Sequence, residues 1–221
     1  GGGDAPGLNA VIRAAVLTAH NRYGYEVVGI REGFDGLLNQ LPLVDLTPDR
    51  VSGLHMRGGT ILGAANRGSP FARPITQADG TVAKVDVSHE AVERLAEANI
   101  DALIVAGGDC SMGICSRLSK IGVKIVGVPK TIDNDLAETD VTFGFDTAIS
   151  TATEALDKLQ TTAESHHRVR GWEVRGREAG WIALKAGVAG GADVILLPEI
   201  PFRLEHVFEK IREINRAGRR Y

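Results

Sequence analysis

Cysteine is scarce: Cys110 and Cys115 are the only two in 221 residues. Five positions apart, they give neither a disulfide framework nor a zinc spacing, so a reducing, intracellular setting is expected. No apolar run approaches the roughly 18 residues of a membrane helix, and no signal peptide is visible. Neither sign of charge dominates. A formal net charge of −3 argues against nucleic acid or anionic membrane as the main partner. Internal repeats and low-complexity linkers are absent as well. What is present is ordinary for a folded protein, with 43% hydrophobic and 24% charged residues. The length allows one large domain or two modest ones. The chain begins GGGDAPG without an initiating Met and stops at RAGRRY, so an internal fragment is expected.

Short β-branched runs alternate with helical patterns. YEVVGI (25–30), DALIVAG (101–107), VKIVGV (123–128) and ADVILLPE (192–199) read as strands buried on both faces. Helices are expected near 7–22, 88–99, 111–120, 146–163, 178–189 and 204–217, with Ser88 capping the second. Strand followed by helix, repeated, predicts an α/β fold with mostly parallel sheets and helices on both faces. In such sheets ligands bind beyond the carboxyl ends of the strands.

Three loops at such positions carry unusual residues. GGGDAPGLNAVIRAAV (1–16) brings glycines to the start of a helix, where backbone N–H groups can meet an anion. A tight strand-to-helix turn would read the same way, and no Gly-Lys-Ser/Thr follows to make it a P-loop. IVAGGDCSMG (104–113) ends a strand in Gly107 and Gly108, then offers Asp109 either as a Mg²⁺ ligand or as a helix cap. PKTIDNDL (129–136) sets Lys130, Thr131, Asp133 and Asp135 in one short loop. An extended backbone would point the two aspartates the same way, one as general base and the other toward a metal. Lys130 could neutralise phosphate, although an Asx-rich turn with a surface lysine has the same composition. Two phosphate-suited loops and one acid-rich loop fit phosphoryl transfer better than hydride transfer.

GGDAPGLNAVIR, RGGTILG, GGDCS, PKTIDNDL, FGFDTA and ESHHRV follow one another through essentially the whole chain. In this order and spacing they resemble the 6-phosphofructokinase family. The resemblance implies two Rossmann-like domains: a phosphoryl-donor and Mg-binding domain over 1–143, lacking its first strand, and a truncated sugar-phosphate domain over 144–221. It implies transfer of a phosphoryl group to the 1-hydroxyl of fructose 6-phosphate with Mg²⁺, in cytoplasmic glycolysis. Asp133 would be the base, supported by Thr131, Asp135 and Lys130. Gly3, Arg67, Gly68, Gly108, Asp109, Cys110 and Ser111 would line the donor site, with Asp109 on the metal. Thr131, Ile132, Asp133, Arg168, Arg175, Gly176 and Arg177 would meet the sugar phosphate. Arg168 would do so from a neighbouring subunit, which implies a homo-oligomer of two or four chains.

The sequence departs from the family in VRGWEVRGRE (169–178), where Arg170 and Gly171 enter an expected strand and Arg175 replaces Met. Donor choice turns on two positions. Cys110 lacks the acidic group that pyrophosphate-dependent members use to repel ATP, whereas Lys130 is the lysine those members carry, as does one ATP-using branch. ATP is the expected donor. Pyrophosphate, or a non-catalytic sugar-phosphate-binding subunit, is the alternative. Arg13 and Arg57 match effector-binding arginines of bacterial relatives, but Leu17 and Gln160 replace other members of that set. His166 and His167 read as solvent or interface residues, and Trp172, Trp181 and Cys115 as packing residues.

Overall fold

The computed structural model describes residues 2–65, 68–166 and 168–218. The backbone divides into two compact units, Gly1–Lys130 and Thr131–Tyr221, with the division inside a strand. It is a mixed α/β fold.

The first unit opens with α1 (Leu8–Tyr23), then β1 (Val28–Gly29), α2 (Gly33–Leu38) and β2 (Val44–Asp45). A 3₁₀ turn at Leu54–Met56 precedes β3 (Arg73–Thr76) and β4 (Val82–Val85). Next come α3 (Ser88–Glu97), β5 (Leu103–Gly107), α4 (Asp109–Lys120) and β6 (Ile125–Thr131). Strands β5 and β6 pair in parallel, from Leu103 opposite Ile125 to Gly107 opposite Pro129, with α4 as the crossover. The β1–β2 and β3–β4 pairs are antiparallel.

One apolar cluster joins α2, α3 and α4 to one face of β5, through Phe34, Leu38, Ala91, Leu95, Leu103 and Leu118. A second gathers Val16 of α1 with Leu46, Val51 and Leu54. The strands expected to be buried on both faces are not. Ile104 is 58% exposed and Val126 63%, because the packed helices cover only the face that carries Leu103, Val105 and Ile125.

The second unit holds β7 (Phe143–Gly144), α5 (Phe145–His166), α6 (Trp181–Ala189) and α7 (Leu204–Arg216). Its cluster centres on Phe145, Ala152, Ile182 and Ala186. Segment 192–199, expected as a strand, is not one. Apolar residues make a strand only when a neighbouring strand takes their backbone groups. Here Ile195 instead presses on Gly187 of α6, where an added Cβ would lie 2.7 Å from Ile195 Cδ1. Segment 169–174 is likewise irregular, as a charge and a glycine within it would lead one to expect.

Candidate active site

The first constellation lies at the carboxyl ends of β5 and β6. Lys130 is not a loop residue: it is the penultimate residue of β6 and only 5% exposed. Its Nζ donates to the carbonyl oxygen of Gly3 at 2.5 Å. Gly2 completes the approach. A Cβ there would stand 3.5 Å from Ser111 Oγ, 3.7 Å from Lys130 Nζ and 3.9 Å from the Gly108 nitrogen, and its φ of +77° favours glycine. The glycine loop before α1, the start of α4 and the end of β6 therefore meet. Gly3, Gly108, Ser111 and Lys130, singled out on separate sequence segments, are brought together.

Helix α4 begins at Asp109, two residues before the expected start, with Gly108 as its N-cap. Asp109 is thus not the cap. It stands exposed in the first turn, where a carboxylate complements the unpaired N–H groups. Cys110 is exposed beside it, and Ser111 is buried. Gly68 lies against the Asp35 carboxyl of α2. Arg67 falls outside the described residues. Among those described, no three His, Cys, Asp or Glu side chains gather as a metal cage.

The second constellation is the acid loop. Thr131 Oγ1 accepts the Asp133 N–H at 3.1 Å. Asn134 adopts φ +51°, so the chain turns between Asp133 and Asp135 instead of extending. That corrects the expectation of two parallel carboxylates. Asp133 is partly buried and Asp135 exposed. Ile132 packs against the Phe145 cluster. Asn134, within PKTIDNDL, and Thr142, which the sequence did not flag, complete the loop. Thr142, 1% exposed, donates its hydroxyl to the Thr131 carbonyl at 2.8 Å, and its N–H to Asn134 Oδ1 at 2.9 Å. The only prior signal was the tolerance of asparagine for the left-handed region.

The third group surrounds a cavity of about 410 Å³ lined by Trp172, Val174, Arg175, Gly176, Ala183 and Pro198, among others. Gly176, at φ +113°, would drive a Cβ to within 2.3 Å of the Ala179 carbonyl oxygen, so only glycine fits there. Glu199, also missed, caps α6 by accepting the Gly180 N–H at 2.8 Å. Arg177 is exposed and pairs with Glu178 at 3.3 Å. Arg168 is exposed past the end of α5, as is His166 in its last turn. His167 is outside the described residues. The tryptophans are less buried than packing residues would be: Trp172 is 47% exposed and Trp181 45%.

Asn9 ties α1 to segment 57–61. Only 2% exposed in α1, it donates from Nδ2 to the Arg57 carbonyl at 2.9 Å and the Gly58 carbonyl at 3.3 Å. Its Oδ1 accepts the Ile61 N–H at 3.0 Å. Segment RGGTILG is thereby fixed to the helix that follows the first loop.

The sequence matches the phosphofructokinase family over residues 1–221. The chain belongs to the phosphofructokinase family. It is 54% identical, over 221 residues, to a Clostridium perfringens protein named ATP-dependent 6-phosphofructokinase 2, matching 100% of this chain and 60% of that protein. It is 52% identical over 212 residues to an Amycolatopsis methanolica protein named pyrophosphate–fructose 6-phosphate 1-phosphotransferase, covering 95% of this chain and 58% of that one. Among solved structures, Pichia pastoris phosphofructokinase in the T-state superposes with a TM-score of 0.84 at 33% identity. That match covers 99% of this chain and 24% of the yeast chain. This phosphofructokinase-family chain spans about 60% of the length of the curated relatives it matches. Among its described residues, no helix is long and apolar enough to cross a membrane.

Proposed function

We propose that the full-length protein transfers the terminal phosphoryl group of ATP to the 1-hydroxyl of fructose 6-phosphate, giving fructose 1,6-bisphosphate in cytoplasmic glycolysis. The observation that carries this reading is the meeting of Lys130 with Gly3, Gly108 and Ser111, immediately followed along the chain by Thr131 and Asp133. Backbone N–H groups at the glycine loops and the first turn of α4 take the donor's phosphate oxygens. Lys130 adds positive charge beside them, and Arg67, Gly68 and Cys110 are assigned to the donor on the family resemblance alone.

Asp133 accepts the proton of the 1-hydroxyl as that oxygen bonds to phosphorus, while the bond to the leaving phosphate oxygen breaks. Thr131 holds the base through its backbone N–H, and Asp135 supports the loop. Ile132, Arg168, Arg175, Gly176 and Arg177 serve the acceptor, Arg168 in a neighbouring subunit of a homo-oligomer. The single exposed carboxylate of Asp109 fits Mg²⁺, which takes one or two carboxylates together with phosphate oxygens and waters. Bound there, Mg²⁺ would neutralise donor charge.

Pyrophosphate is the second reading for the donor, favoured by the buried Lys130 and the similarity to a relative named for pyrophosphate. The test is phosphorylation of fructose 6-phosphate by the full-length protein with Mg²⁺ and either donor. Turnover with ATP alone is the expected result. Turnover with pyrophosphate alone reassigns the donor. Normal fructose 6-phosphate binding without turnover would leave a sugar-phosphate-binding subunit.

A further inference from the structure

We propose that Thr142 is a positioning residue for Asp133, acting through the residues on either side of it. The inference rests on the reading of Asp133 as the base. Thr142 is almost wholly buried, so its polar groups must be satisfied within the protein. Its hydroxyl has a single proton, and the nearer acceptor is the Thr131 carbonyl at 2.8 Å, against 3.3 Å for Asn134 Oδ1. Its backbone N–H goes to Asn134 Oδ1 at 2.9 Å. One buried residue thus grips both Thr131 and Asn134. Thr131 in turn takes the Asp133 N–H on its own hydroxyl.

Two further features make this grip specific to Asp133. Asn134 sits at φ +51°, a conformation most side chains avoid, and the bond from Thr142 holds it there. Ile132 is anchored separately in the Phe145 cluster. The residue between these fixed points is the one that must meet a hydroxyl proton within hydrogen-bond reach. Thr142 follows the exposed residues Asp140 and Val141, whereas its own atoms are enclosed. It ties down the far end of the loop that carries the base.

The test uses the full-length protein with saturating Mg²⁺ and its phosphoryl donor. Thr142→Val keeps the shape and removes the hydroxyl. It should lower kcat by roughly ten- to a hundred-fold, the scale of a misplaced reacting group, while KM for fructose 6-phosphate stays within about two-fold. Thr142→Ser restores the hydroxyl and should return most of kcat. Asn134→Gly, which keeps the left-handed backbone and removes the acceptor, should reproduce the kcat loss and covers the case in which the valine variant does not fold. Unchanged kcat in either Thr142→Val or Asn134→Gly overturns the proposal, as does a serine variant no better than valine. Asp133→Asn separates the two readings. If it leaves the rate intact, the base assignment falls and this inference with it. If it abolishes turnover while the Thr142 and Asn134 variants do not, only the positioning role is lost.

Discussion

Lys130 reaches across 127 residues of sequence to give its ammonium to the carbonyl oxygen of Gly3. A lysine that is 5% exposed is held by the fold rather than by solvent, and this bond ties the end of β6 to the first glycine loop. Lys130→Met keeps the apolar stem and removes the charge. We expect a stability loss of about 1.5–3 kcal/mol, the value of a charged hydrogen bond, together with at least ten-fold weaker donor binding. Denaturant unfolding and titration calorimetry of the full-length protein with Mg²⁺ and ATP or pyrophosphate would measure the two effects.

Asn9 makes three bonds to segment 57–61 from inside α1. Asn9→Ala should cost about 1–3 kcal/mol, because buried backbone groups lose their partner. Asn9→Asp should cost at least as much, since a carboxylate would face the Arg57 and Gly58 carbonyls. The midpoint of urea unfolding should fall with an unchanged slope. A midpoint equal to wild type in both variants would contradict this account.

The two thiols should react at very different rates. Cys110 is exposed in the first turn of α4, whereas burial pushes the Cys115 thiol up from its ordinary range. Only the thiolate attacks an alkylating reagent, so near neutral pH iodoacetamide should label Cys110 first and leave Cys115 unmodified until the protein unfolds. Peptide mass mapping over time would show it. The phosphoryl donor should slow the Cys110 reaction. Equal rates at the two positions would mean that α4 does not pack as described.

Asp86 governs the start of α3. The Ser88 N–H, at 2.9 Å, and then the Ser88 hydroxyl hold the Asp86 carboxyl below its usual range, and Arg117 and His89 add smaller pulls. The folded form therefore favours the carboxylate. Its contribution is present above the unfolded-state pKa of about 3.9 and is lost as pH falls through the lower folded value. The stability gap between wild type and Asp86→Ala should narrow as pH is lowered below about 4, measured by denaturant unfolding across a pH series. A gap that widens in acid would have the wrong sign.

The elements that were legible in the sequence carried their signal locally. A β-branched run ending in glycines predicted β5 and put the start of α4 two residues late, and helical patterns predicted α1, α3 and α7 within a few residues. Residues whose meaning is non-local were not legible. Asn9 and Thr142 act through partners 48 to 52 and 8 to 11 positions away, and no spacing rule encodes such pairs. Ser88 was expected as a cap, but it opens the helix while Asp86 accepts its N–H. The β3–β4 hairpin went unseen because RPIT and VAKV are short and mixed in polarity. Segment 192–199 had strand composition without a strand to pair with.

The Asn9 contacts also bear on the order in which the molecule assembles. Helix α1 can form from neighbours in sequence on a microsecond scale, but its amide reaches segment 57–61 only after the chain has closed over 48 to 52 residues. We expect those bonds to form in the late part of folding. Loss of the Asn9 amide should therefore speed unfolding and leave the refolding rate nearly untouched. Segment 57–61, which these bonds tie to α1, should then be among the last pieces to set.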